Sequence, residues 1–442
     1  MDASLLAVTL ARSLIAGEQT VEEALARGAH ALGRPWPWLR NVAKAYLNKF
    51  AGGTRPRERE VVEFLAENRS FRGALAHLHR IRIEHLVAEP QRMQPATKAR
   101  AWPVQAIESA GGLAEWLGIT PGELEWFADL RSLEHYRKTS QPLRHYRYRA
   151  LTKISGSIRL IEAPKPRLKA IQQQILGAIL EKIPHHPAVH GFVKGRSIRS
   201  FVAPHAGQRV VLRMDLRDFF PSIRRARIQA IFRTIGYPEA VADRLGGLCT
   251  NAAPYEAWKN PGLDVDPHQL WEARKLYTVP HLPQGAPTSP ALANLCAWRV
   301  DCRLRGLAES AGAVYTRYAD DLAFSGGDDF DRRVERFSLH AAAILQEEGF
   351  HVHHRKTRIM RRGVRQHLVG LVANHHVNVM RPDFDRLKAI LTNCVRLGPE
   401  SQNREGHPRF RMHLEGRLAF VESINPAKGS RLRAIFERIR WV

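Results

Sequence analysis

Leu39, Val42, Ala43, Tyr46, Leu47 and Phe50 fall at i, i+3, i+4, i+7, i+8 and i+11, one apolar stripe at helical period. Val61, Phe64 and Leu65 continue the pattern, and Thr20 with Glu23 has capping-box spacing ahead of another helix. Such stripes usually face a core, so residues 1 to about 88 are predicted to be helical. The polar, proline-punctuated stretch Glu89-Pro90-Gln91-Arg92-Met93-Gln94-Pro95 reads as a linker. Leu113, Trp116 and Leu117 mark a short helix. Thr120-Pro121-Gly122-Glu123 then supplies an N-cap, a proline at N1 and a glutamate at N3 for the next. From about Tyr136 to Arg381 short β-rich runs alternate with helices, the pattern of an α+β domain. Leu414, Leu418 and Val421 return to helical spacing near the end of the chain.

Composition narrows the class. With 442 residues, 44% hydrophobic and 25% charged, the chain is expected to form two or three globular domains. No segment approaches the roughly 18 consecutive apolar residues of a membrane span. Asp2 and Arg12 interrupt the partly apolar opening, which reads as a helix and not a signal peptide. Cys249, Cys296, Cys302 and Cys394 form no C-x-x-C pair, so neither a zinc site nor a disulfide framework is expected, and a reducing cytoplasm fits. Lysine and arginine total 68 against 43 acids, a net charge of +25. A GC-rich genome that favours arginine over lysine inflates arginine but need not inflate net charge. A positive field of this size draws polyanions, so nucleic acid is the expected partner.

Candidate chemistry lies in three places. Val314-Tyr315-Thr316-Arg317-Tyr318-Ala319-Asp320-Asp321-Leu322-Ala323-Phe324 reads as a hairpin with adjacent carboxylates at its tip. Taken alone, the acid pair is equally well an ordinary turn, since aspartate is common there. Arg209-Val210-Val211-Leu212-Arg213-Met214-Asp215 is an apolar strand ending in an acid, followed by Phe219-Phe220-Pro221. Together these segments supply three carboxylates for one site. Phosphoryl transfer by two Mg²⁺ ions about 3.5–4 Å apart needs such hard oxygen donors. Between them, His281-Leu282-Pro283-Gln284-Gly285-Ala286-Pro287-Thr288-Ser289-Pro290 is a proline-stiffened loop; by itself it reads as structural.

The order of these blocks resembles the palm of reverse transcriptases, specifically the bacterial retron-type enzymes, and the myxobacterial ones with N-terminal extensions most of all. Ser157-Ile158-Arg159-Leu160-Ile161-Glu162-Ala163-Pro164, His190-Gly191-Phe192-Val193-Lys194-Gly195-Arg196-Ser197-Ile198, Phe350-His351-Val352-His353-His354-Arg355-Lys356-Thr357 and the tail from Leu414 to Ser423 agree with it, over roughly residues 125–440. The resemblance implies an α+β right-hand polymerase of fingers, palm and helical thumb behind an all-helical N-terminal domain. The division expected is 1–100 for the extension, 101–380 for fingers and palm, and 381–442 for the thumb. It implies an RNA-directed DNA polymerase that copies a structured non-coding RNA from a 2′-hydroxyl primer into branched DNA, in anti-phage defence and with an accessory effector protein. Two Mg²⁺ ions, replaceable by Mn²⁺, would be held by Asp215, Asp320 and Asp321. Lys356 would be the proton donor to pyrophosphate, Arg159 the triphosphate clamp and Phe220 the gate against a 2′-hydroxyl. Gln284 would contact the incoming deoxynucleoside triphosphate, and Tyr318 would pack at the primer terminus.

Two stretches depart from the retron pattern. Phe201-Val202-Ala203-Pro204-His205 keeps only the histidine of an Asn-Ala-x-x-His signature, and Leu368-Val369-Gly370 stands where Val-Thr-Gly is usual. Both regions are associated with choice of the cognate RNA. Another bacterial defence reverse transcriptase, of abortive-infection type, is therefore an alternative. A group II intron protein should carry a maturase domain, and a non-catalytic relic should have lost its carboxylates. The basic run Arg355, Lys356, Arg358, Arg361, Arg362 and Arg365 is expected to line a nucleic-acid path rather than a solvated face. The 21 histidines show no ligand spacing and are assigned no metal.

Overall fold

The structure, a computed structural model, describes residues 2–50, 56–86, 91–136, 144–152, 158–258 and 266–441. Ser157 and the start of the expected linker, Glu89 and Pro90, lie outside them. The chain forms two compact units that interleave along the sequence. One comprises Met1–Pro184 with Phe220–Cys296, the other His185–Phe219 with Ala297–Val442. This is a division by packing, and it cuts across the linear division by role.

The first unit opens with helices α1 (Ala3–Ile15), α2 (Val21–Ala31), α3 (Pro37–Phe50), α4 (Glu58–Glu67) and α5 (Arg69–Leu75). Their apolar stripes meet in one core: Leu39, Val42, Ala43 and Tyr46 of α3 pack with Val61, Phe64 and Leu65 of α4, while Leu47 and Phe50 are half-buried beside them. The Thr20 hydroxyl accepts from the Glu23 N–H, and Thr120 with Glu123 makes a complete capping box on the helix Pro121–Ala128. Residues 91–96 are not a free linker. Gln94 and Ala96 donate backbone hydrogen bonds to the carbonyls of Gly236 and Thr234, and a side chain at Gly236 would strike Pro95. Strands β1 (Tyr146–Thr152) and β2 (Ile158–Pro164) pair antiparallel, and β2 turns Ile158, Leu160 and Glu162 inward.

The second unit is built on a sheet of β3 (Val210–Arg217), β4 (Val314–Tyr318), β5 (Asp321–Gly326), β6 (His351–Val352) and β7 (Arg358–Arg361). β3 lies between β5 on one side and β6 and β7 on the other, all antiparallel. β3 is buried along nearly its whole length, which explains the run Val210-Val211-Leu212. The helix Asp328–Glu347 packs Phe330, Val334, Phe337 and Ala341 inward. Helices Arg381–Leu397, Phe410–Ile424 and Pro426–Phe436 bury Leu387, Leu391, Leu414, Leu418 and Val421 in one cluster.

Candidate active site

β4 ends at Tyr318 and β5 begins at Asp321, so Ala319 and Asp320 form the hairpin tip. The register sets Asp215 of β3 directly opposite Asp321, and the Leu216 N–H donates to the Asp320 carbonyl at 2.9 Å. β3 continues two residues past Asp215 to Arg217, and Pro221 lies within the short helix Phe219–Ser222, ahead of the helix Arg225–Ile235. The carboxylates are not left to repel one another. Lys356 Nζ lies 3.0 and 3.1 Å from the two Asp215 oxygens, and Arg213 reaches Asp321 Oδ1 at 2.8 Å through Nε and 2.6 Å through Nη2. Burial, and then the charge of Asp321, pushes the Asp320 carboxyl above the usual range. Burial raises Asp321 as well, against the pull of Arg213.

The donors are all carboxylate oxygens, the chemistry that suits Mg²⁺. Among the described residues no three His, Cys, Asp or Glu side chains are gathered as a ligand set. Two lysine and arginine cations carry the compensating charge here.

The tip is held from beneath. Ala319 adopts φ +54°, and a Cβ on Gly191 would lie 2.6 Å from its nitrogen, so glycine is required there. Arg317 and Asp301 are both fully buried; the guanidinium donates to Asp301 through Nε at 2.7 Å and Nη2 at 2.6 Å. Its Nη1 donates to the Ala319 carbonyl at 3.1 Å, and the Tyr315 hydroxyl donates to Asp301 at 2.8 Å. His205 bridges the two hairpin strands, Nδ1 to Ser325 Oγ at 2.6 Å and Nε2 to Thr316 Oγ1 at 2.7 Å.

In the first unit, Arg159 is exposed on β2, on the face opposite Glu162. Gln284 is half-buried in the loop after His281, and its Oε1 has no hydrogen-bond partner among the described residues. Phe220 is half-buried in the short helix that follows β3.

The reverse transcriptase (RNA-dependent DNA polymerase) family matches residues 150–380, just over half of the chain. The retron Mx65 reverse transcriptase of Myxococcus xanthus is 42% identical over 324 residues, covering 72% of this chain and 69% of that protein. This chain is a retron reverse transcriptase. The retron Mx162 enzyme of the same organism is 36% identical over 371 residues, covering 81% and 72%. The retron Ec86 enzyme of Escherichia coli is 30% identical over 276 residues, covering 62% and 74%. The protein is accordingly an RNA-directed DNA polymerase of the α+β right-hand fold with a helical N-terminal region, from a family that uses divalent metal ions. No helix among the described residues is long and apolar enough to cross a membrane.

Within this retron reverse transcriptase the structure brings Asp215, Asp320, Asp321 and Lys356 to one end of one sheet, with Tyr318 at the end of β4. Arg213 was not anticipated, although Arg213 and Asp215 share a face of β3 at period two, which is a readable signal. Asp301 gave no signal, because nothing in a helix sequence marks one acid as buried. Arg361, in the basic run, is half-exposed with its Nε 2.8 Å from Asp331 and its Nη2 3.2 Å from Glu335. His205, at 0% exposure, is a strap inside the hairpin and not an RNA-reading group.

Burial first, and the nearby His190 second, holds the His205 pKa down to about 3 from 6.5. A depressed base gives stability that is complete above its unfolded pKa and is lost as pH falls toward the folded value. Unfolding free energy should therefore drop by up to about 1.4 kcal/mol per pH unit below pH ~6.5 on this account. His205→Gln should flatten that slope while lowering stability at pH 8. Denaturant titrations across the range check it, and an unchanged slope would assign acid sensitivity to other groups.

Proposed function

We propose that Asp215, Asp320 and Asp321 hold the divalent ions of DNA synthesis, and that the enzyme copies its own structured RNA from a 2′-hydroxyl into branched DNA. The observation that carries this is the cross-strand pair of Asp215 and Asp321, with Asp320 at the tip beside them, in a chain of the retron family. When bound, two Mg²⁺ ions would stabilise the attacking and leaving oxygens. Lys356, half-exposed and held at Asp215, supplies a proton for the departing pyrophosphate. Arg159 offers a forked guanidinium to the triphosphate. Gln284, half-buried in the loop after His281, contacts the incoming nucleotide in this reading. The Tyr318 ring, 5.9 Å from Phe201 and 6.3 Å from Phe192, packs against the primer terminus.

Phe220 is the sugar gate in this reading. Phe220→Val should lower the preference for deoxynucleotides over ribonucleotides by at least about tenfold, the scale of a pocket contact. Primer extension with each substrate alone measures the ratio, and an unchanged ratio would place the gate elsewhere.

Branching is tested on nucleic acid recovered with the protein from its native host. RNase should leave DNA bearing a short RNA remnant that debranching enzyme releases. Linear DNA without attached RNA would defeat the 2′-primed reading and favour a defence reverse transcriptase of another type. Cytoplasmic phage defence with an accessory effector rests on the retron relationship. Phage plating on strains carrying the gene with its neighbouring genes, intact or bearing Asp320→Asn, tests it.

A further inference from the structure

Glu162 stands where β2 should carry an apolar residue. Ile158, Leu160 and Glu162 alternate inward, and the Glu162 carboxylate is fully buried. An uncompensated carboxylate in such a place is costly, so its partners matter. Asn251 Nδ2 donates to Oε1 at 2.7 Å, and His281 Nε2 lies 2.9 Å from Oε2. The Asn251 amide also donates to the Tyr148 hydroxyl at 3.1 Å. His281 Nδ1 faces the Val279 carbonyl at 2.8 Å. Both ring nitrogens therefore face oxygen acceptors, and a proton must lie between His281 and Glu162.

This pair is tied into the loop that carries Gln284. His281 precedes Gln284 by three residues, and its backbone pairs both ways with Asn251, each bond 3.0 Å. The Glu162 N–H donates to the Gln284 carbonyl at 2.8 Å. Gly285, at φ +134°, sits so close that a Cβ would lie 2.8 Å from the Glu162 carbonyl oxygen. Glu162 thus meets the loop through its side chain, its amide and its carbonyl. Three positions earlier on the same strand is Arg159.

We infer that the buried Glu162–His281 pair, supported by Asn251, is a positioning device for the incoming nucleotide. It locks the Gln284–Gly285 loop to the strand bearing Arg159, so that the two nucleotide contacts keep a constant spacing. The inference rests on the reading that Gln284 and Arg159 meet the nucleotide. A pair serving stability alone would lower the amount of folded enzyme and leave the affinity of the folded fraction unchanged.

Steady-state extension on a defined primer–template, normalised to active sites, separates the two. Glu162→Ala leaves His281 and Asn251 without their carboxylate, so the side-chain tie between β2 and the loop is lost while the backbone bond from Glu162 to Gln284 remains. The KM for deoxynucleotide should rise roughly tenfold, since small misplacements of positioning groups carry large costs. The kcat and the primer–template Kd should change less than about twofold on the same argument. Glu162→Gln can donate an amide N–H to His281 and accept from Asn251, so it should restore a KM close to that of the unaltered enzyme. In a Gln284→Ala background, Glu162→Ala should add no further increase. A KM unchanged in Glu162→Ala, or a loss of kcat alone, overturns the proposal. A Gln284→Ala enzyme with normal KM overturns the underlying assignment of Gln284 instead. Should Glu162→Ala be too unstable to assay, Gly285→Ala leaves the pair intact and pushes the loop off β2. It must then raise KM with kcat retained, and a normal KM overturns the proposal equally.

Discussion

Asp320→Asn should abolish detectable DNA synthesis while leaving the protein as stable as before, or slightly more so. In the proposed role Asp320 helps hold the metal ions whose charge stabilises the transition state by several kcal/mol, and each 1.36 kcal/mol is tenfold, so a loss of at least about a thousandfold is expected. Stability should not suffer, because Asp320 is a carboxyl whose ionised form burial and Asp321 already disfavour. Asparagine keeps the shape and the backbone, including the Asp320 carbonyl that accepts from Leu216. Asp321→Asn should inactivate equally, with less gain in stability than Asp320→Asn, since Arg213 at 2.6 Å already offsets part of the burial that raises the Asp321 carboxyl. Single-nucleotide incorporation beside thermal melting distinguishes the two variants. Extension at the unaltered rate in Asp320→Asn would remove it from the catalytic set.

Asp301→Ala should cost about 3–5 kcal/mol of stability, the usual consequence of leaving one partner of a buried ion pair uncompensated. The pair lies at 0% exposure, with the guanidinium bound to both Asp301 oxygens. Asp301→Leu combined with Arg317→Met should regain much of the loss, because apolar replacement of a buried pair is often neutral. Activity should not return with it. The hydrogen bond from Arg317 to the Ala319 carbonyl is gone in the double variant, and Ala319 holds a left-handed backbone that needs support. Denaturant midpoints paired with extension rates decide this. A double variant that is both stable and fully active would show that the hairpin tip holds its shape without Arg317.

Much of this enzyme was legible in its residues because the relevant signals are local. The helical stripe of α3, the cap at Thr120, the hairpin around Asp320 and the strand leading to Asp215 each depend on neighbours a few positions away. Their order along the chain carried the family, since polymerase chemistry needs particular side chains at strand ends and turn tips. What the sequence could not determine was pairing across distance. Arg213 meets Asp321 over 108 positions and His281 meets Glu162 over 119, through strand register and packing that no local window contains. The same holds for character. Glu162, Asp301 and Arg361 read alike as charged residues, yet burial and partners make the first two interior struts and the third a surface clasp. The environment that distinguishes them exists only once the chain has folded, because desolvation and the nearest opposite charge are properties of the assembled interior.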